Sequence, residues 1–265
     1  MTDIRPEICH DFVPLTRDYV ASAYATGTTV TGFVERILPE QKVLVVKLGD
    51  GIMGILPFTE VTMYPLRYSR RNTSNIPTNI RCLMSKKIRV KITKISGSEI
   101  ILSRKQNMLE AYDTLLNTKT TSMYITEVIE KSAFGDIGEG LTGKILINEV
   151  CRTHIRNVKQ RLSIGQVIDV AILGVDSEKR FAASYRQTFT PFNKHDYPVG
   201  TVITGTVGDW IVVADISKYF MEITPQVAGI LTVNKHLHLD RGTKLACIVT
   251  GVNERGLYLE PLYHQ

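Results

Sequence analysis

The stretch FGDIGEGLTGKILINEV, Phe134–Val150, packs four glycines into ten residues and then runs into aliphatics and a Glu-Val pair. A glycine-rich phosphate cradle and a strand-to-strand turn can both begin this way. The chain itself decides between them, because VKLGDGIMGILPFTEV (Val46–Val61) lies over GDIGEGLTGKILINEV without a gap. The overlay matches Gly49 to Gly138, Gly51 to Gly140, Gly54 to Gly143, Glu60 to Glu149 and Val61 to Val150. The stretch is therefore one copy of a repeat. GEGLTG fits GxGxxG, but strand-like KILINEV follows it where a dinucleotide site needs a helix, and no Gly-Lys-Ser/Thr is present to make a Walker loop. It reads as a tight turn whose glycines supply backbone angles that other residues resist.

Further echoes bring the count to three units. GTTVTGFVERI from Gly27 and GTVITGTVGDWI from Gly200 share Gly, Thr, Thr, Gly and Val, and GILPFTEV at Gly54 returns as GILTVNKH at Gly229. Each unit closes with two alternating segments: KKIRVKITKI with EIILSRK, QVIDVAILGV with RFAASYRQ, and KLACIVTGV with GLYLEPL. Period-two alternation bounded by Gly, Pro, Asp and Ser predicts about five strands per unit. Five strands in a short unit suit a small closed barrel of the oligonucleotide-binding type, which leaves no open sheet edge. The predicted fold is mainly β, with three tandem five-stranded barrels joined by short helical or extended linkers. The expected layout is a lead-in with a short helix (1–26), a first barrel with a basic insertion (27–105) and a helical linker (106–121). A second barrel (122–187), a short linker (188–196) and a third, diverged barrel (197–265) follow. In the first linker Met108, Tyr112, Leu115 and Leu116 form one helical stripe expected to pack on a barrel.

Charge narrows the partner. The chain of 265 residues carries a net charge of +6 and is 43% hydrophobic, ordinary globular composition. From Val61 to Ser98 there is no Asp or Glu, while Arg67, Arg70, Arg71, Arg81, Lys86, Lys87, Arg89, Lys91 and Lys94 all fall inside. RTHIRNVKQR, Arg152–Arg161, sits at the same place in the second unit. Such runs point to a polyanion. The cysteines Cys9, Cys82, Cys151 and Cys247 are scattered singly, so neither a zinc site nor a disulfide frame is expected. No apolar run is long enough to span a bilayer and the N-terminus lacks the features of a secretory signal, so a cytoplasmic protein without membrane contact is expected. None of His10, His154, His195, His236, His238 and His264 pairs with a nucleophile in any recognisable context, and HLHLD reads as a strand end or loop rather than a metal site. No enzyme, metal or small-molecule cofactor is expected.

The middle unit, through AFGDIGEGLTGKILINEV, THIRNVKQRLSIGQVIDVAILGVDSEKR and AASYRQ, resembles the RNA-binding repeat of the small-subunit ribosomal protein S-one, also found in polynucleotide phosphorylase and ribonuclease E. The first unit is similar to the family's N-terminal repeats, and the third resembles a diverged terminal copy. The resemblance implies an RNA face with two aromatics on the second and third strands, a His after the glycine turn, and an Asp and an Arg four apart near the last strand. In the middle unit Phe134, Asp176 and Arg180 match, while Lys131 stands at the first aromatic position and Leu146 at the His position. In the first unit these positions fall on Lys42, Val45 and Pro57. In the third, Phe220 matches one aromatic, with Trp210 and Tyr219 near it, but Thr232 replaces the His and Leu257 the Arg.

Phe134 is thus either a stacking ring or a core phenylalanine, and Arg180 either a phosphate contact or a solvated turn arginine. The basic residues Arg152, Arg156, Arg67, Arg70, Arg71, Arg81, Lys86 and Lys87 are the candidate phosphate contacts. The resemblance implies a non-enzymatic protein that binds single-stranded RNA, with messenger RNA at the small ribosomal subunit as its setting and small-subunit proteins as further partners. The other reading is an adaptor whose outer barrels dock on a ribosomal or RNA-degradation partner.

Overall fold

A computed structural model describes residues 4–68, 76–190, 192–213, 216–234, 238–254 and 256–262. The expected architecture is observed: the strands close into three five-stranded barrels. The first contains β1 (Val30–Leu38), β2 (Val43–Gly49), β3 (Ile52–Pro57), β4 (Lys87–Ser96) and β5 (Glu99–Ser103), in the order β1-β2-β3-β5-β4. The second contains β6 (Thr120–Val128), β7 (Ser132–Asp136), β8 (Thr142–Leu146), β9 (Val167–Val175) and β10 (Phe181–Ser184). The third contains β11 (Val202–Val213), β12 (Ile216–Thr224), β13 (Val227–Asn234), β14 (Lys244–Asn253) and β15 (Gly256–Pro261), in the order β11-β12-β13-β15-β14. In the first and third barrels the third and fifth strands pair in parallel, which closes the ring. The helices are α1 (Arg17–Thr26), α2 (Thr78–Arg81) and α3 (Lys105–Leu115). Among the described residues no helix is long and apolar enough to cross a membrane.

The repeat markers have separable causes. A Cβ added at Gly54 would meet Leu102 Cδ1 at 2.5 Å, at Gly143 Ile137 Cγ2 at 2.3 Å, and at Gly229 Leu259 Cδ1 at 2.5 Å. At all three matched positions the missing side chain makes room for an aliphatic core residue, as close packing of a narrow barrel requires. The Glu-Val pair does something else. Glu60 and Glu149 end single 3-10 turns (Phe58–Glu60 and Ile147–Glu149), and Val61 and Val150 are fully buried. The Glu60 carbonyl accepts the Arg104 N–H at 2.9 Å, and the Glu149 carbonyl accepts the Tyr185 N–H at 2.9 Å. In the first two repeats the marker therefore ties the middle of the repeat to the residue that leaves its last strand.

By density of packing the chain divides into two compact units: Met1–Glu127, Phe134–Lys144 and Ile164–Ala183 form the first, and Val128–Ala133, Ile145–Ser163 and Ser184–Gln265 the second. In the first, the barrel core of Val34, Leu44, Val46, Leu56, Ile88, Val90 and Leu102 also takes in Val20 and Ala23 of α1 and Ile80 of α2. The buried side of α3 is Asn107, Met108, Ala111 and Leu115, with Tyr112 edge-on to Phe181 at 5.2 Å. Leu116 departs from the expected stripe: it lies one residue past the helix and is exposed. In the second unit the core is Val207, Tyr219, Met221, Leu231, Val233, Cys247, Val249, Leu257 and Leu259. Leu257, at the position of the family's Arg, is a core side chain, so a cation could not stand there without burial of its charge.

The glycine turn of the opening stretch has a second role that its spacing does not announce. Gly138 and Gly140 adopt φ of 133° and 78°, with Glu139 between them at 51°. Asp136 Oδ1 accepts the N–H groups of Gly138 (2.9 Å) and Gly140 (3.0 Å), and its Oδ2 accepts the N–H of Glu7 (2.7 Å). The Glu7 carboxylate receives Arg104 Nε at 2.8 Å and Nη2 at 2.7 Å, and the N–H of Arg89 at 2.9 Å. Arg104 is buried, and its remaining terminal nitrogen donates to the Val61 carbonyl at 2.9 Å. Glu139 accepts from Arg89 Nε (3.2 Å) and Asn107 Nδ2 (2.5 Å), and its N–H reaches the Arg5 carbonyl (3.1 Å). The lead-in is thereby bound to the turn. A Cβ at Gly140 would overlap the Arg104 guanidinium. The matched turn of the first barrel also meets the lead-in, for a Cβ at Gly49 would strike the Leu15 backbone, whose N–H donates to Leu48 at 2.9 Å.

This network sets a pH dependence. Burial, followed by the Glu7 carboxylate, pushes Asp136 up to about 7 against the pull of its backbone donors and Arg104. Burial would also raise Glu139, but the bond from His10, the Arg89 charge and the bond from Asn107 outweigh it and hold that carboxyl below its ordinary value. Between its unfolded value and about 7, folding takes up a proton at Asp136, so stability from this group falls as pH rises through that window. Asp136→Asn removes the titration. The stability advantage of wild type over Asp136→Asn, read from urea-dependent amide exchange in the first unit, should shrink by about 1–3 kcal/mol between pH 5 and pH 8. An advantage that stays constant or grows over that range contradicts the assignment.

Candidate nucleic-acid interface

The second strand of the middle barrel, β7, alternates buried Ala133 and Gly135 with half-buried Phe134 and Asp136, as period-two geometry demands. Phe134 is thus not a core phenylalanine; its ring is partly open. Lys144 Nζ stands 5.8 Å from the ring centroid, within cation–π range. Sequence reasoning missed Lys144, although it lies two residues before Leu146 on β8 and so shares its strand face. Leu146, at the family's His position, is exposed and can offer contact area but no hydrogen bond.

Asp176 and Arg180 come together at the β9–β10 turn. Asp176 Oδ1 accepts the N–H groups of Glu178 (2.8 Å) and Arg180 (3.0 Å), and its Oδ2 accepts Arg180 Nε at 2.8 Å. Desolvation acts upward on Asp176, but the bonds from Arg180 and Glu178 prevail and hold it below the usual carboxylate range. Lys179, at φ 61°, completes the turn. Glu178 also pairs with Arg180 (3.2 Å) and with Arg67 (2.7 Å). The pair therefore shapes a turn in which Arg180 already faces two carboxylates.

The same holds for much of the acid-free run. Lys87 donates to the His10 carbonyl at 2.7 Å, Arg89 faces Glu139, and Lys91 pairs with Glu110 at 2.5 Å. Arg81, at the end of α2, Lys86 and Lys94 are exposed. Among the described residues no carboxylate pairs with these three. Arg70 and Arg71 lie outside the described residues. Within the run, α2 adds a turn of helix, held in place by buried Ile80.

The basic connection of the second unit is sorted in the same way. Arg156 Nε donates to Asp209 at 2.8 Å, His154 stands 3.6 Å from the same carboxylate, and Arg161 pairs with Glu222. Arg152 is exposed with no carboxylate partner among the described residues. Lys131, also exposed, donates to the Arg156 carbonyl at 3.3 Å and faces Glu130 at 3.2 Å. Phe220 is half-buried beside His154, their rings 5.8 Å apart. Tyr219 is a core residue whose hydroxyl accepts the Leu239 N–H at 3.1 Å, and Trp210, half exposed, stacks on it at 6.2 Å. A cleft of about 740 Å³ in this unit brings together Lys131, Arg152 and Phe220 with Arg186, Asn253 and Tyr258. Tyr258 and Asn253 carried no signal in the sequence, because they meet the rest only through barrel closure. Among the described residues no group of three or more His, Cys, Asp or Glu could hold a metal ion.

Comparison with known proteins agrees with the fold. Residues 124–186 match the S1 RNA binding domain. The chain is 28% identical over 177 residues to the small ribosomal subunit protein bS1 of Staphylococcus saprophyticus, covering 62% of this chain and 44% of the relative. It is 29% identical over 170 residues to the bS1 of Staphylococcus aureus, covering 59% and 42%. It is also 22% identical over 161 residues to the rRNA biogenesis protein rrp5 of Schizosaccharomyces pombe, covering 58% and 9%. The chain thus spans less than half the length of these relatives. The matched residues 124–186 coincide with the middle barrel, whose five strands, glycine turn and Asp176–Arg180 turn are all in place, so this barrel is similar to the S1 RNA binding domain.

Proposed function

We propose that the protein binds single-stranded RNA without catalysing a reaction on it, and that its RNA is messenger RNA held at the small ribosomal subunit. The observation that carries this reading is the open ring of Phe134 beside Lys144 on the barrel matched to the S1 RNA binding domain. A half-exposed aromatic offers a face to any base, and stacking of this kind contributes roughly 1–3 kcal/mol per base. Lys144, with Arg81, Lys86 and Lys94, which have no carboxylate partner among the described residues, supplies charge along a phosphate backbone. The ribosomal setting rests on the relatives named small ribosomal subunit protein bS1.

The adaptor reading has one observation of its own. Trp210 and Val212 on one face of the β11–β12 ribbon, and Ile211 and Ile216 on the other, are exposed in the third barrel. Apolar surface of this kind suits contact with protein better than with phosphate.

Two measurements test the RNA reading. In fluorescence anisotropy with a labelled oligouridylate, Phe134→Ala should weaken binding by about 1–3 kcal/mol, with thermal melting little changed because the ring is not part of the core. Unchanged affinity would remove Phe134 from the interface. In a salt titration, Arg81→Ala combined with Lys86→Ala should flatten the slope of log K against log salt by about 1.4, from roughly 0.7 per phosphate on a single strand. Arg67→Ala, whose charge is already met by Glu178, should move the slope less than either of those residues. A larger effect at Arg67 than at Arg81 and Lys86 would refute this division of the cations.

A further inference from the structure

The second unit holds a feature that a single-barrel view of RNA binding does not use. Its cleft of about 740 Å³ lies between the basic connection Cys151–Ile155 and strands of the third barrel, and falls within the roughly 300–1,000 Å³ typical of ligand sites. No Asp or Glu is among the described residues that line it, whereas Lys131, Arg152 and Arg186 are. Arg186 is partly neutralised by Glu149, at 2.9 Å, and Lys131 by Glu130, at 3.2 Å, whereas Arg152 has no carboxylate partner among the described residues. The neighbouring cations are sorted oppositely: Arg156 and Arg161 are turned to Asp209 and Glu222 of the third barrel. These ion pairs hold the connection against the barrel, and Arg152 is left facing the cleft. Phe220, half-buried, and Tyr258, 45% exposed, bring aromatic rings to the same space, and the Tyr258 hydroxyl is fixed by Asn253 Nδ2 at 3.0 Å.

We propose that this cleft is a second RNA-binding site, one that holds a short single-stranded segment with bases on Phe220 and Tyr258 and phosphates on Arg152 and Lys131. The proposal rests on the RNA-binding reading above and adds to it a place made jointly by the second unit's connection and the third barrel. Cations alone would accept any anion, and rings alone any apolar group. The two together in an acid-free cleft match a nucleobase attached to a phosphate. On this view the third barrel, though it carries Leu257 and Thr232 at the family's Arg and His positions, contributes to RNA binding through its side toward the connection.

The test uses the full chain and a fluorescein-labelled oligouridylate of about ten nucleotides. Tyr258→Ala should weaken binding at least about fivefold. Arg152→Glu, a change at an exposed position that should leave the melting temperature unaltered, should weaken binding and flatten the salt slope by about 0.7 or more. Photocrosslinks from 4-thiouridine should map to Phe220 or Tyr258 as well as to Phe134. If both variants bind within twofold of wild type while Phe134→Ala is impaired, the cleft proposal falls and the RNA reading stands, leaving the cleft to a protein partner. If the wild-type chain binds no RNA at near-physiological salt, the RNA reading falls and takes the cleft proposal with it.

Discussion

The first unit depends on one buried ion pair. Arg104 leaves the last strand of the first barrel and places its guanidinium where water does not reach, and Glu7, from the lead-in, meets it with both carboxylate oxygens. Removing one partner of such a pair costs about 3–5 kcal/mol, because the other charge is left buried and unmatched. The pair therefore fixes the lead-in, and the lead-in fixes what lies beyond it. The Glu7 N–H is taken by Asp136, Asp136 orders the Gly138–Gly140 turn, and Glu139 at the crown of the turn is held by Arg89 and Asn107. Gly140 is obligatory on two grounds, its positive φ and the guanidinium that occupies the space of its side chain. What looks in sequence like a phosphate cradle is a docking surface for the chain's own N-terminal segment.

The parts of this account that were legible in the sequence are those enforced locally and repeated. Alternation predicted the strands, and the overlay of Gly54, Gly143 and Gly229 exposed a packing rule that acts within each barrel. The Glu-Val marker was visible for the same reason, since Glu60 and Glu149 make the same backbone bond in two copies. What escaped was long-range and unrepeated. The 38-residue span from Val61 to Ser98 contains no acid, yet Arg67, Arg89 and Lys91 are matched by Glu178, Glu139 and Glu110, residues far along the chain. Pairings of that kind follow from tertiary closure, and a run of like charge in sequence is therefore a poor measure of charge on the surface. Leu116 escaped for a different reason, because α3 ends one residue earlier than the helical stripe implied.

At the candidate interface, sequence and structure divide the labour. The resemblance pointed to Phe134, Asp176 and Arg180. The structure separates them by what surrounds each: an open ring beside a lysine for Phe134, and a closed turn with its own counter-charges for Asp176 and Arg180. The same sorting runs through both basic segments. Cations that are paired build the architecture, as Arg89, Arg104, Arg156 and Arg161 do, and cations with no carboxylate partner among the described residues, such as Arg81, Lys86, Lys144 and Arg152, remain for a partner. The proposed RNA surface is this remainder, together with the half-open rings among it.

On the proposed function, the glycine-turn network is internal architecture and the open face of β7 and β8 receives RNA. The most direct measurement is amide NMR of the full chain titrated with a short oligouridylate at near-physiological salt. Perturbations are expected in Ser132–Gly135 and Thr142–Leu146, and separately around Arg152, Phe220 and Tyr258, with the amides of Glu7–Cys9 and the Gly138–Gly140 turn unmoved. Perturbations centred on the lead-in and the glycine turn, with β7 and β8 silent, would contradict it.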